Sequence, residues 1–562
     1  MRFIKVQRTL VALTAAAALL SASCTQLKQP EPAPYFAETP PPPKQELRWS
    51  NGKAPKSLDP AKAATAPETD IARALYEGLT DLDGQTLDAV PAVAERWESS
   101  DDKRTWRFYV REDAAWSNGK RVTANDFVRS WKRLVSLGAD TAHPELLVNF
   151  KNLEAQARQT PSPEPSPNEA NRNTNTTAAI ASPSPVVEGI IAESESIIRV
   201  DLIHPDKDLP KLVAHPIFRP VFDDKVDHKA VTNGPFKLTS LNDEGVILDR
   251  SDSYWDRESI KLERVSFVAA ASPEKALEAY QAGKVDAVTN AEFSPAALKL
   301  LEPYDDFRRT AYNALNLYEF NAAKAPFNDR RVRQALALAI EREKLTEGEL
   351  QGTTRAADTF LSTGSTSERR LTIDVTRAET LLEDAGYPDG KGFPVVRLLI
   401  NRNETQQRIA KAVAAMWKQN LNIETEVIVK EQAELDQMKI AGEYDLIRRN
   451  VVLPTADETA SMLSVFGMPE PIAVSDAAPT PESEPRTDST SGPSPDDATA
   501  IAPGSPAPIL TNDDALYEVR AIPLYFPTSY FLVKPYVKGF AGNSLDARSL
   551  KSVEIDANWR TR

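Results

Sequence analysis

Hydrophobic and polar positions follow two different rhythms along this chain of 562 residues. The stretch RTWRFYV, residues 104–110, has an apolar side chain at every second position and predicts a strand. The segment VTANDFVRSWKRLV, a little further on, spaces its apolar residues three or four apart and predicts a helix. Thr123 and Asp126 match a capping box at the start of that helix. A strand is therefore followed closely by a helix in this part of the chain.

Later segments repeat the combination of helix and strand. SPEKALEAYQAGKVDAV predicts a helix that begins at Ser272, ends near Gly283 and leads into a strand over 285–288. NDRRVRQALALAIEREKL predicts an amphipathic helix whose apolar face holds Val332, Ala335, Leu336, Ala339 and Ile340. The residues from Ile409 to Trp417 predict another helix, and the alternating strand IETEVIVK follows it. Interleaved helices and strands of this kind predict an α/β protein whose helices cover mixed sheets.

The N-terminal segment predicts export. Basic residues precede an apolar run from Leu10 to Leu20, and Ser21, Ala22 and Ser23 form a small-residue cleavage site. The run is shorter than the ~20 apolar residues that a membrane-spanning helix needs. Residues 1–23 therefore predict a signal peptide.

Cys24 is the only cysteine of the chain and directly follows the predicted cleavage site. This placement resembles the lipobox of bacterial lipoproteins, in which the cysteine is acylated and becomes the new N-terminus. Ser21 stands where that motif prefers leucine, and ordinary secretion without a lipid is the alternative. A disulfide is excluded because the chain has no second cysteine. Residues 24–44, rich in proline, then predict an extended tether between the lipid and the folded chain.

Composition and motifs argue against several classes of function. The formal net charge of −14 disfavours nucleic acid and anionic membrane surfaces as partners, because both attract basic proteins. The histidines, His143, His204, His215 and His228, lack the spacing of a metal site. Ser272 begins an S-x-x-K sequence, but a serine before proline at a helix start is more simply an N-cap. The sequence therefore predicts no enzyme, no cofactor and no metal.

Four long strings of the sequence resemble one family. They read KSLDPAKAATAPETDIARALYEGLTDLDG, ERWESSDDKRTWRFYVREDAAWSNGKRVTANDFVRSWKRL, VTNGPFKLTSLNDEGVILDRSDSYWD and LYEFNAAKAPFNDRRVRQALALAIEREKL. They are similar to the oligopeptide- and dipeptide-binding proteins of bacterial ABC importers, solute-binding family 5, over 47–153, 187–466 and 515–553. The resemblance implies a two-lobed fold of the periplasmic-binding-protein type, with an additional domain and a ligand cleft between the lobes. It also implies a monomeric receptor that hands a captured solute to a permease.

The domain plan of that family can be mapped onto this chain. Lobe I would comprise 45–82, 190–310 and 519–562, domain II would comprise 83–189, and lobe III would comprise 311–518. Two low-complexity inserts, 160–186 in domain II and 469–508 in lobe III, have compositions that predict extended or disordered chain. The second insert stands where family members have further helices after the segment that ends near Phe466.

Residues of lobe III would hold the two ends of a peptide in this family. Arg448 and Lys439 take its basic places, so the resemblance implies that they bind the carboxylate of a peptide. Pro454 stands where oligopeptide binders have the aspartate that pairs with the peptide's amino terminus. Asp457, three residues further on, is the candidate to restore that pairing.

Five further residues are expected at the cleft through the same resemblance. Ala66, Asn450 and Val452 fall where the family uses backbone atoms, so these contacts do not depend on the side chain. Asn233 and Tyr525 are expected to neighbour the cleft, with a purely structural role as the alternative for each.

Two functions of different class remain open from the sequence. The first is a lipid-anchored receptor of an ABC importer, with peptide as the leading ligand and another small solute as the second choice. The second is an envelope lipoprotein on the same fold that no longer transports and acts as a sensor, chaperone or interaction protein. The family strings favour the first function, whereas Pro454 and the insert 469–508 favour the second.

Overall fold

The computed structural model describes residues 34–151, 189–467 and 508–561, without Lys225, His228, Glu292 and residues 363–367. The predicted signal peptide, Cys24, the first part of the tether, the insert 160–186 and all of the insert 469–508 except Pro508 lie outside the described residues. Within these ranges, no helix is both long enough and apolar enough to cross a bilayer.

The strands of the described chain form four sheets. In chain order they are β1 Glu46–Ser50, β2 Thr80–Leu82, β3 Ala89–Pro91, β4 Ala94–Ser99, β5 Thr105–Val110, β6 Ile190–Ala192, β7 Ile197–Asp201, β8 Phe236–Asn242, β9 Gly245–Arg250, β10 Arg264–Val268, β11 Ala287–Val288, β12 Phe307–Ala311, β13 Ala314–Phe320, β14 Thr354–Ala356, β15 Val396–Asn401, β16 Thr425–Lys430, β17 Leu446–Val452, β18 Ala521–Val533, β19 Val537–Lys538 and β20 Glu554–Ile555. Twelve of them belong to one mixed sheet, β4 to β7 form a second, and β2–β3 and β19–β20 are small antiparallel pairs.

The α-helices lie between these strands. They are α1 Glu68–Leu75, α2 Ala124–Leu137, α3 Leu209–Leu212, α4 Pro273–Gln281, α5 Pro295–Leu301, α6 Arg330–Leu338, α7 Arg342–Lys344, α8 Val375–Asp384, α9 Glu404–Leu421, α10 Gln432–Ile440, α11 Glu458–Phe466 and α12 Asn512–Glu518. The predicted capping box of α2 is present, since the Asp126 carboxylate accepts from the Thr123 N–H at 2.9 Å. Ser272 caps α4 as predicted, through a 3.4 Å bond from the Lys275 N–H. These local predictions are confirmed.

One long strand joins the two main lobes. The large sheet runs in the order β16-β15-β17-β13-β18-β11-β1-β10-β9-β8, with β12 and β14 also paired to β18. The first residues of β18 pair with β13 of lobe III, and its last residues pair with β11 and β12 of lobe I. The site at the junction of the lobes is therefore built on a continuous hydrogen-bonded sheet.

Domain II extends further along the chain than the sequence predicts. Strands β6 and β7, within residues 190–201, pair with each other and with β5, so they lie in the sheet of domain II and not in lobe I. The core of this domain also includes Phe218, whose carbonyl accepts a 2.7 Å hydrogen bond from Trp131 Nε1 of α2. The boundary predicted at 189/190 is corrected accordingly, because strand pairing across the insert decides where these residues lie.

Each lobe has its own hydrophobic core. In lobe III, α6 and α9 pack on the sheet, and Trp417 Nε1 donates to the carbonyl of Leu336 at 2.8 Å. In lobe I, Trp49 of the central strand β1 is fully buried beside Phe267 and Phe540. The lobes are thus separate packed bodies that meet along β18 and at the cleft.

Candidate ligand-binding cleft

A cavity of about 370 Å³ lies between the two lobes, and two of the predicted site residues line it. Ala66 comes from lobe I, whereas Val452 and Pro454 come from the end of β17 in lobe III. The Val452 residue is 40% exposed. The structure therefore brings two of the predicted backbone contacts, Ala66 and Val452, to one cavity.

A larger cavity of about 740 Å³ adjoins the first within lobe I. The two share Ala66 and Asn290, and Asn290 Nδ2 donates to the Ala66 carbonyl at 3.2 Å. None of the described residues of lobe III lines the larger cavity. Only the smaller one can change shape when the lobes move, and we take it as the candidate site.

Arg448 lies on the face of β17 that leads to this cavity, because positions 448, 450 and 452 of a strand point to one side. Its guanidinium donates to Asn316 Oδ1 and, at 3.3 Å, to Asn401 Oδ1. Asn316 Nδ2 donates in turn to Asn450 Oδ1 at 3.2 Å. The Nε of Arg448 is buried without a hydrogen bond, and no carboxylate of a described residue lies within 4.0 Å of its guanidinium.

Tyr525 and Gln406 complete the surroundings of Arg448. Pairing of β18 with β13 sets Tyr525 opposite Asn316, and the Tyr525 hydroxyl accepts from Gln406 Nε2 at 2.8 Å. Burial raises the pKa of Tyr525, so the hydroxyl remains protonated at neutral pH. Arg448 is therefore a half-buried cation whose described neighbours are neutral amide and phenol groups.

Lys439 lies on the opposite side of the sheet from Arg448. It belongs to α10, and its Nζ is 3.4 Å from Glu319 Oε2. Glu319 also accepts from Arg449 at 2.5 Å, and Arg449 points away from Arg448 because successive side chains of a strand face opposite sides. The structure therefore does not bring the two predicted basic residues together, and Lys439 already has a carboxylate partner.

Comparisons with known proteins agree with this arrangement of lobes and cleft. The family model described as bacterial extracellular solute-binding proteins, family 5 Middle, matches residues 88–470. The chain is 29% identical over 469 residues to the periplasmic oligopeptide-binding protein OppA of Escherichia coli (strain K12), covering 79% of this chain and 80% of that one. The chain belongs to family 5 of the bacterial extracellular solute-binding proteins. Its predicted family is confirmed.

Two further comparisons concern MppA, a second relative of this family 5 protein. The chain is 31% identical over 445 residues to the periplasmic murein peptide-binding protein MppA of Escherichia coli (strain K12), covering 73% of this chain and 75% of that one. A solved structure of MppA in its unliganded open form has a TM-score of 0.69 at 26% identity, covering 92% of this chain and 98% of that one. The predicted α/β fold with two lobes and a ligand cleft is confirmed. Family membership places the protein among the extracellular solute-binding proteins, and the relatives OppA and MppA are named as peptide-binding proteins.

Asn233 ties two backbone segments of this family 5 protein together. It is 4% exposed, and its side-chain amide both accepts from the Glu77 N–H at 3.1 Å and donates to the Glu77 carbonyl at 3.0 Å. Glu77 in turn accepts from Tyr254, Trp255 and Lys551. The geometry matches the structural alternative for Asn233, because both atoms of its amide group are already used.

Asp457 points away from the cleft cavity. It is fully buried at the start of α11, where Oδ1 accepts from the Ala460 N–H at 2.6 Å. Burial and the neighbouring Asp206 carboxyl of domain II raise the pKa of Asp457. Asp457 therefore caps a helix and contacts domain II, and this position does not let it pair with the amine of a ligand in the cavity.

Four charged residues that the sequence did not single out line the same cavity: Asp70, Arg73, Asp546 and Arg548. Asp70 and Arg73 belong to α1, a short helix whose other residues are mostly buried. Charged residues on a helix that is otherwise buried are a signal of a functional site, and the sequence contains this pattern in α1. In a single sequence, however, they also fit an ordinary solvated helix face.

Proposed function

We propose that this protein is the receptor of a peptide ABC importer and that it binds a short peptide in the cleft between lobe I and lobe III. One observation carries the proposal: Arg448 is a half-buried guanidinium with no carboxylate partner among the described residues. Such a cation favours an incoming anion, because only neutral groups compensate for its lost water. The C-terminal carboxylate of a peptide can form paired, charge-assisted hydrogen bonds with a guanidinium.

The face of β17 sets the length of the peptide. Positions 448 to 452 are four residues apart, which corresponds to roughly 13 Å at the rise of a β-strand. An extended peptide has nearly the same rise, so about four or five residues reach from Arg448 to the cavity. The backbones at Ala66, Asn450 and Val452 would meet the peptide backbone, which gives affinity without selecting side chains.

Closure of the lobes would retain the peptide. The fold resembles MppA in its unliganded open form, which supports an open arrangement of this chain before ligand binding. A ligand that contacts both lobes shifts the population toward the closed state by its differential affinity for that state. The protein would act as a monomer by capture and release, without a chemical step.

Cys24 would anchor the receptor outside the membrane. Acylation of Cys24 after removal of residues 1–23 would leave residues 24–44 as the tether, and the receptor would pass its peptide to a membrane permease. The names of the relatives support an extracytoplasmic peptide receptor, since OppA is called a periplasmic oligopeptide-binding protein and MppA a periplasmic murein peptide-binding protein. One acyl chain binds a membrane only marginally, so the mature protein is expected to carry more than one.

A thermal-shift screen with peptides of four and five residues tests the proposal. A peptide at a hundredfold excess over its Kd should stabilise the fold by about 2.7 kcal/mol, which is measurable as a higher melting temperature. Peptides with an amidated C-terminus should give a smaller shift. Arg448→Met should remove the difference between free and amidated peptides, whereas the matched variant Lys439→Met should keep it because Lys439 is paired with Glu319.

The screen also separates the alternative functions. Pro454 in the cavity is the observation that favours an envelope lipoprotein with a drifted ligand site. Absence of any peptide-induced shift, together with recovery of an envelope protein bound to the intact chain, would support that alternative and contradict the receptor. Native mass spectrometry of protein purified without refolding would identify a non-peptide solute if one is retained.

A further inference from the structure

The cavity contains a carboxylate in place of the one missing from the family position. Pro454 lines the cavity and cannot pair with an ammonium group. Asp70 lines the same cavity from the lobe I side and is only 3% exposed. A carboxylate thus lies in the opposite wall of the cavity.

One oxygen of Asp70 accepts no hydrogen bond from any described residue. Its Oδ2 accepts from Asn51 Nδ2 at 3.2 Å, whereas Oδ1 is buried without a hydrogen-bond partner. Arg73 Nη1 lies 3.6 Å from Oδ1, close enough for electrostatic attraction but beyond a hydrogen bond. A buried oxygen in this condition requires a further donor to compensate for the loss of water.

The positive neighbours do not fully stabilise the charge of Asp70. Burial raises the pKa of Asp70 even though Arg73 and Arg548 lower it. An additional cation in the cavity would therefore stabilise the ionised carboxylate. Arg73 makes no hydrogen bond through its guanidinium within the described residues, so a ligand carbonyl beside the ammonium would also find a donor.

The remaining titratable groups of the cavity are less suited to this role. Asp546 already accepts from Arg548 Nη2 at 3.2 Å, and its side chain is 29% exposed. His215 accepts from the Ile217 N–H through Nδ1 at 3.3 Å and stacks edge-on against His143. Burial lowers the pKa of His215, so its imidazole is neutral at pH 7. A neutral imidazole has no negative charge with which to pair with an ammonium group.

We infer that Asp70 binds the α-ammonium group of the ligand and so replaces the aspartate that family 5 oligopeptide binders have at the position of Pro454. This inference rests on the proposed function, because it assumes that the ligand is a peptide. The peptide then runs from Asp70 in lobe I to Arg448 in lobe III. Its two charged ends contact different lobes, and each end meets a protein charge to which no described residue of opposite sign is hydrogen-bonded.

Isothermal titration with matched peptides tests the inference. The peptides are lysine-free, have a free C-terminus and carry either a free or an acetylated N-terminus, so the terminal amine is the only ammonium. The full-length wild type should bind the free-amine peptide about tenfold or more tightly than the acetylated one, as expected for a charge-assisted hydrogen bond. Asp70→Asn keeps the shape and the contact with Asn51, and it should reduce this ratio to about one.

Two further variants make the result specific. Asp546→Asn, in the same cavity, is the matched control and should keep the wild-type ratio. Asp70→Ser provides a second test if Asp70→Asn folds poorly, and it should also reduce the ratio of the two affinities to about one. Affinity for the acetylated peptide should remain the same in Asp70→Asn as in the wild type.

The outcomes distinguish this inference from the function on which it rests. If peptides bind and depend on Arg448 but Asp70→Asn keeps the preference for a free amine, the inference is wrong and the receptor function stands. Loss of the preference in Asp546→Asn would also contradict it, since the amine would then pair with the other aspartate. Failure of every peptide to bind would overturn both.

Discussion

Two buried carboxyl groups meet where domain II contacts lobe III, and replacing one of them should stabilise the protein. Asp206 follows β7 and is 1% exposed, and its Oδ1 accepts from the Asp208 N–H at 2.8 Å. Asp457 at the start of α11 is its neighbour, no other described group donates to Oδ2 of either carboxyl, and the two carboxyls form a side-chain hydrogen bond when one of them is protonated. The change Asp206→Asn keeps an oxygen that can accept from the Asp208 N–H, and it places an amide donor beside the carboxyl of Asp457.

The expected gain follows from the pKa of Asp206. Burial raises this pKa from 3.8 to about 6. One pKa unit corresponds to about 1.36 kcal/mol, so ionised Asp206 lowers the stability of the fold by about 3 kcal/mol. The sign follows from linkage: the folded state holds the proton more tightly, so the wild type loses stability as the pH rises from about 4 to about 6. The substitution should therefore add about 3 kcal/mol at pH 7.5 and less than about 1 kcal/mol at pH 4.

Urea unfolding at pH 4 and pH 7.5 measures this difference. Three charged groups lie nearby: Lys207 Nζ donates to both Asp208 and Glu458 at 2.7 Å. These two ion pairs should persist in the variant. Asp208→Asn, two residues away, is the matched control and should give no gain, because it removes a partner of Lys207. Asp457→Asn should act in the same direction as Asp206→Asn, since asparagine is also a good N-cap.

An equal effect of Asp206→Asn at both pH values would refute this reasoning. It would mean that Asp206 has the same affinity for protons in the folded and unfolded states, and that any change in stability arises from shape. A loss of stability at pH 7.5 would likewise contradict the expected stabilisation by a new amide donor.

Two further predictions concern the anchor and the scaffold. Cys24→Ala should move the protein from the membrane fraction to the soluble exported fraction without unfolding it, and the intact mass of the wild type should include lipid; a wild-type mature N-terminus without lipid mass would contradict the anchor. Glu77→Ala should lower the stability by about 3–5 kcal/mol, because it removes the nearer of the two carboxylates of Lys551, at 2.6 Å, and leaves the donors of Tyr254 and Trp255 without this acceptor. An unchanged melting temperature would show that Asp81, 3.0 Å from Lys551, compensates for the loss.

Local structure could be predicted from the sequence wherever the signal lies within a few residues. The capping box at Thr123 and Asp126 and the N-cap at Ser272 depend on contacts across three positions, and both occur as predicted. The alternation in residues 104–110 likewise yields β5, with Trp106 and Phe108 buried. Periodicity and capping are set by the geometry of a single element and need no tertiary information.

The domain boundary could not be predicted in the same way. Strand β7 pairs with β5 although about ninety residues separate them, and the low-complexity insert lies between. A strand pattern indicates which face is apolar but does not indicate the partner strand. The sequence therefore predicts that the residues after the insert belong to lobe I, whereas their hydrogen bonds place residues 190–201 in the sheet of domain II.

The site shows the same limit at the level of single side chains. The resemblance to the family indicates that Arg448 and Lys439 occupy basic positions. Only the strand geometry shows that Arg448 and Arg449 face opposite sides of the sheet. Glu319 lies on the side of Arg449 and pairs with both Arg449 and Lys439. In the sequence, Asp70 also fits an ordinary solvated helix face, so the pattern of α1 alone does not identify it as a site residue. Its importance depends on an oxygen without a hydrogen bond and on a cavity wall that two lobes share.

The two ends of the proposed peptide explain how binding could drive closure. Among the described residues, Arg448 in lobe III has no carboxylate partner and one oxygen of Asp70 in lobe I has no hydrogen bond, so each lobe carries a charge that these residues leave incompletely compensated. A peptide with both termini free satisfies both charges at once, and it can do so only while it spans the lobes. An acetylated or amidated peptide satisfies one charge and gives up part of its preference for the closed state. Because a ligand shifts the equilibrium only by its differential affinity, the free termini would supply selectivity and closure through the same contacts.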